Sequence, residues 1–106
     1  MDSIGKYVNG GAYIKALKEH GFKYDPITKS LLLSYPYLPD EFRDMAVQIS
    51  LYRPPASSIA QVASISFYRR GSDYKEVKEP GKRFKEYLGG ILREAIEKAR
   101  PSCVRC

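Results

Sequence analysis

Met45-Ala46-Val47-Gln48-Ile49-Ser50-Leu51-Tyr52-Arg53 and the later run Ala63-Ser64-Ile65-Ser66-Phe67-Tyr68-Arg69-Arg70 decide the fold. In the first run Val47, Ile49 and Leu51 alternate with Gln48, Ser50 and Tyr52. In the second, Ala63, Ile65 and Phe67 alternate with Ser64, Ser66, Tyr68 and Arg70. Successive side chains of a strand point to opposite faces, so this period of two means one buried sheet face and one wet face. The link Pro54-Pro55-Ala56-Ser57-Ser58 makes the two runs a hairpin.

On the N-terminal side, Ser30-Leu31-Leu32-Leu33-Ser34-Tyr35 reads as a further strand. Its partner is Phe22-Lys23-Tyr24, across the turn Asp25-Pro26-Ile27-Thr28-Lys29. Asp bonds back to the local backbone there and Pro pre-sets φ. Pro36 and Pro39 end the strand, and Asp40-Glu41-Phe42-Arg43 fits one helical turn. Earlier still, the spacing of Tyr13, Ile14, Ala16 and Leu17 predicts a helix from about Gly11 to His20. Asn9 is its N-cap, Gly21 takes the left-handed position after its end, and Phe22 makes the hydrophobic contact of a Schellman motif.

On the C-terminal side, Gly71-Ser72-Asp73 turns the chain, and Tyr74 to Lys78 adds an edge strand whose Lys and Glu discourage aggregation. The last element is a helix opening at Pro80 or Gly81 and running to about Ala99, before Pro101. Phe84, Tyr87, Leu88, Ile91, Leu92, Ala95 and Ala99 form its apolar stripe. Gly89-Gly90 inside it costs about 1 kcal/mol per residue against Ala. The pair reads as a close approach by another backbone, with a bend as the alternative.

The order of elements predicts an α+β fold: an antiparallel sheet of three to five strands, with an N-terminal helix and a long C-terminal helix packed on one face. Residues 1–100 read as one domain and residues 101–106 as a flexible C-terminal tail. No apolar run approaches the ~20 residues of a membrane span, and the first residues lack a signal-peptide pattern. A soluble, cytoplasmic protein is expected. One Asn and two Gln beside 28% charged residues lean toward a thermophilic source.

The net charge of +6 is uneven. Residues 1–65 carry 7 basic and 6 acidic side chains, and residues 66–106 carry 11 and 6. A basic half on a small domain is the electrostatic footprint of a polyanion binder, although it also serves simply to keep a surface wet.

The wet sheet face is the candidate site. Gln48, Ser50 and Tyr52 neighbour Ser64, Ser66, Tyr68 and Arg70 there, and Ser30 and Ser34 extend the face. Small polar residues leave a shallow groove, tyrosine rings offer stacking platforms for bases, and Arg53, Arg69 and Arg70 are placed to hold phosphates. Lys82 and Arg83 add a basic start to the last helix, where backbone amides favour an anion. Glu76, Glu79 and Glu86 interrupt that basic run, which also fits an ordinary salt-bridged surface. Asn9-Gly10-Gly11 fits a simple cap better than an anion cradle.

The expected function is therefore a non-catalytic nucleic-acid binder, with single strands favoured. The alternative is an assembly subunit that forms a homodimer through the sheet face or the Gly89-Gly90 helix. The plain reading is a solvated face with no partner. An enzyme is not expected, since His20 is the one histidine and no nucleophile elbow, metalloprotease or P-loop motif occurs. Cys103, Cys106 and the one histidine fall short of the four ligands zinc takes unless two chains share a site through their four cysteines, and no metal or cofactor is expected. The element order resembles that of the double-stranded-RNA-binding domain. Phe84 and Tyr87, however, stand where that family places small residues, and the segment between the helices is longer. No family is assigned.

Overall fold

A computed structural model describes residues 4–53, 57–71 and 73–100. The alternating runs form β4 (Met45–Tyr52) and β5 (Ile59–Arg70), paired antiparallel at the centre of a six-stranded sheet. On one side of β4 lie β3 (Ser30–Ser34) and then β2 (Lys23–Asp25). The far edge of the long strand β5 is shared: β1 (Tyr7–Asn9) pairs with its start and β6 (Tyr74–Val77) with its end. The sheet thus exceeds the three to five strands expected, and the addition missing from the sequence reading is β1.

Helix α1 (Gly10–Lys18) follows β1 directly. The Asn9 side chain caps it by accepting from the Ala12 amide at 3.0 Å. It closes as expected: Gly21 has φ +100°, and the Gly21 and Phe22 amides donate to the carbonyls of Lys18 and Leu17. Gly21 also has a steric reason to lack a side chain, since an added Cβ would sit 2.5 Å from the Cβ of Tyr37. The turn from β2 to β3 is held by Asp25 Oδ1, which accepts from the Ile27 amide at 2.9 Å.

Helix α2 (Lys82–Lys98) lies beside α1. The two helices cover the sheet face that carries Leu31, Leu33, Val47, Ile49, Leu51 and Val62, all buried. Phe84 of α2 meets Phe42 edge-on at 5.1 Å between ring centroids and Phe67 of β5 at 6.0 Å. This places the hydrophobic core in a single layer between helices and sheet, as one-sided burial requires. Helix α2 is continuous through Gly89-Gly90, and among the described residues no other element's backbone makes the close approach expected there: a Cβ at either glycine would meet no backbone within 4 Å beyond the helix's own. The nearest atom to a Cβ at Gly89 is the Arg93 guanidinium, at 3.4 Å.

The alternation within β5 also differs from expectation. Ser64 pairs with Ser50 and Val62 with Leu51, so Ala63 is an extra residue in the ladder. This bulge reverses the side-chain phase. Ala60 and Val62 turn into the core, whereas Ala63, expected beside Ile65 and Phe67, is exposed. Among the described residues, no helix is long and apolar enough to cross a membrane. The Cys103 and Cys106 pair and the expected tail lie outside the described residues.

Candidate nucleic-acid interface

No described helix covers the second face of the sheet. Its residues fall in cross-strand rows fixed by the register. At one end stand Tyr7, Gln61 and Tyr52. Next come Ser64, Ser50 and Ser30, and then Ser66, Gln48, Leu32 and Lys23. Glu76, Tyr68, Ala46 and Ser34 follow, and Tyr74 with Arg70 completes the far end. Each neighbouring pair sits within reach of the other across about 5 Å of sheet.

A line of hydrogen bonds ties the middle of this face together. Tyr68 OH donates to Gln48 Oε1 at 3.2 Å, Gln48 Nε2 donates to Ser30 Oγ at 3.2 Å, and the Ser30 and Thr28 hydroxyls share a bond of 2.7 Å. The network spans β5, β4 and β3 and holds the Tyr68 ring by its polar tip. A fixed ring loses little freedom when a flat ligand stacks on it, which favours binding.

Two hollows flank the network. Leu32, Ser34, Ala46, Gln48, Tyr68 and Tyr74 line a depression of about 260 Å³ with Ala46 at its floor. At the opposite end, Tyr7, Tyr52, Ser57, Ile59, Ala60 and Gln61 line a second of about 270 Å³. Tyr7, Tyr52 and Tyr74 are each at least half exposed. Exposed aromatic rings beside shallow apolar floors suit a flat, partly apolar ligand.

The cations are placed less simply than the residues between them. Arg70 lies on the open face, in the row of Tyr74. Arg69 has the opposite phase and lines a hollow with Lys82 and Arg83 at the foot of α2, together with Glu41 and Asp44. Arg83 pairs there with Glu41 at 2.9 Å. Lys85, the next cation of the run, pairs with Glu79 at 2.8 Å and holds that carboxyl below its usual range. Arg53 lies at the end of β4, where its Nε donates to the Ser57 carbonyl at 3.1 Å and its guanidinium passes over Gly10.

Of the residues singled out in the sequence, then, Gln48, Ser50, Tyr52, Ser64, Ser66, Tyr68 and Arg70 share one surface. Arg53 sits at its end, and Arg69, Lys82 and Arg83 belong to the helix side. Other members were missed. Leu32, Ala46 and Tyr74 follow from parity once the register is known, the bulge brings Gln61 to this face, and Tyr7 comes with β1. The one signal for Tyr7 was its place in Tyr7-Val8-Asn9, a β-prone pair just ahead of a cap.

Compared with protein-family models, curated proteins and solved structures, the chain matches none.

Proposed function

We propose that this chain is a non-catalytic binder of single-stranded nucleic acid that lays bases on its open sheet face. The observation that carries the reading is the uncovered face itself, where Tyr7, Tyr52, Tyr68 and Tyr74 stand at its two ends with Ser50, Ser64, Ser66 and Gln48 between them. Base stacking on tyrosine is tolerant of sequence, and the chain's net charge of +6 draws in a polyanion of any sequence. Phosphate contacts fall to Arg70 on the face and to Arg53 at the end of β4. The basic cluster at the foot of α2 adds long-range attraction.

The test is a titration of fluorescent single-stranded oligonucleotides at several salt concentrations. Binding weakens as salt rises, because phosphate contacts release counterions. Tyr68→Ala weakens it by about 1–3 kcal/mol. No binding to any single strand at low salt refutes the reading.

A second reading rests on a specific observation. The charges on the open face balance, with Lys23 and Arg70 against Asp25 and Glu76, and Leu32, 43% exposed, lines the same hollow as Tyr74. A neutral, Tyr-rich surface with an apolar centre also suits a protein partner, a second copy of this chain included. Light scattering separates the two: a dimer that dissociates when Leu32 is changed to Lys, without nucleic-acid binding, favours assembly.

A further inference from the structure

The two hollows lie at opposite ends of one strand. On β4, Ala46 forms the floor of the first and Tyr52 the wall of the second. Six residues at about 3.3 Å each separate them by about 20 Å. Between them the face carries Gln48, Ser50, Ser64 and Ser66, and none of these is aromatic.

Each end has the parts to hold one nucleotide. At the first, Tyr68 is braced by Gln48, Tyr74 faces it from β6, and Arg70 shares the Tyr74 row. At the second, Tyr7 and Tyr52 flank Gln61, whose Nε2 donates to the Gly5 carbonyl at 3.1 Å. That bond fixes the amide and turns its oxygen into an oriented acceptor for a base edge. Lys6 precedes Tyr7 in the chain and Arg53 follows Tyr52, and residues 4–9, 50–53 and 57–66 contain no Asp or Glu. These strands therefore offer a phosphate attraction without competition from their own carboxylates.

We infer that the open face is a two-ended site. Its ligand is a single strand laid along β4, long enough to seat one base between Tyr68 and Tyr74 and another between Tyr7 and Tyr52. The inference rests on the nucleic-acid reading and adds a minimum ligand length and a second base seat built by β1. Two seats joined by one polymer act as linked sites. Once the first base is held, the second meets its seat at high effective concentration, and affinity rises far beyond that of either seat alone.

The experiment is a ladder of labelled homothymidine oligomers, from the dimer to ~16 nucleotides, the upper end of the site size of a small domain. Each is titrated against the wild-type chain, Tyr52→Ala and Tyr52→Phe. The expected wild-type result is a step in affinity at the length that first spans both seats. Tyr52→Ala removes the step, weakening long oligomers about 5- to 150-fold while changing the dimer by no more than roughly twofold. Tyr52→Phe, which keeps the ring, retains the step.

A Tyr52→Ala chain that binds long oligomers as tightly as wild type overturns the two-ended site and leaves the open-face reading standing. So does a smooth rise in affinity with length that both variants follow. Failure of every oligomer to bind the wild-type chain overturns both.

Discussion

The two faces of one strand, β4, show opposite uses of the same backbone. Val47, Ile49 and Leu51 are buried under the helices, while Gln48, Ser50 and Tyr52 look out on the uncovered side. The covered set is defined by volume: each side chain belongs to the one buried cluster that also holds Phe84 and Leu88, so shape and apolarity are all that matter there. The open set is defined by chemistry, being small, hydrogen-bonded or aromatic, and it contributes little to the packed layer. A sheet that packs most of its apolar residues on one side leaves the other free to be shaped by a ligand.

The sharpest way to break this contrast is to truncate neighbours of opposite phase. Ile49→Ala is expected to cost about 2–5 kcal/mol of stability, as buried aliphatic truncations do. Ser50→Ala, one residue along, is expected to stay within about 0.5 kcal/mol. Chemical denaturation of both variants measures the difference. Equal costs at the two positions would mean that the open face is part of a packed layer.

Alkaline pH probes the covered side next. Tyr13 is fully buried on α1, its hydroxyl has no hydrogen-bond partner among the described residues, and burial pushes its pKa up to about 12. The folded state therefore holds the proton that the unfolded chain releases near 10. The resulting stability is complete below pH 10, falls as pH rises, and is lost by about pH 12. Its size is about 2–3 kcal/mol. Tyr13→Phe removes that slope, and near neutral pH it stabilises the fold by about 1 kcal/mol, because an unpaired hydroxyl no longer has to be buried. Unfolding curves at several pH values check both effects.

The smallest effect belongs to the exposed seam between the helices. Glu94 is held below its ordinary value by the Lys98 hydrogen bond, then by the Lys98 charge, with His20 adding a little at 3.6 Å. A depressed carboxylate contributes above its unfolded value of 4.5, and that contribution disappears as pH falls through the folded value. Glu94→Gln is expected to lower the melting temperature slightly at neutral pH and not at all in acid. A solvent-exposed pair gives no more than this.

Much of the covered side was legible in the sequence, because burial imposes a period that a reader can count. The alternation of Val47, Ile49 and Leu51 and the stripe from Phe84 to Ala99 both survive in the structure, as do the Asn9 cap and the Gly21 stop. The bulge at Ala63 was hidden, since one extra residue between Ser64 and Val62 flips every side chain before it without changing composition. Strand β1 was hidden for another reason. Three residues are too few to show a period, and Tyr7-Val8-Asn9 becomes a strand only because Ile59–Gln61, distant in sequence, lies alongside. Of the open-face tyrosines, Tyr52 and Tyr68 were found by parity, whereas Tyr7 and Tyr74 needed the register of β1 and β6. The cations were not found this way, because which side Arg69, Lys82 or Arg83 joins depends on where α2 starts relative to the sheet.

Amide chemical-shift mapping during titration with a single-stranded oligonucleotide puts the central claim to its most direct trial. The expected result is perturbation of Gln48, Ser50, Ser64, Ser66, Tyr68 and Tyr74, with Arg93, Glu94 and Glu97 on the outer side of α2 unmoved. Perturbation confined to Lys82, Arg83 and the outer side of α2, with the sheet residues silent, would contradict it.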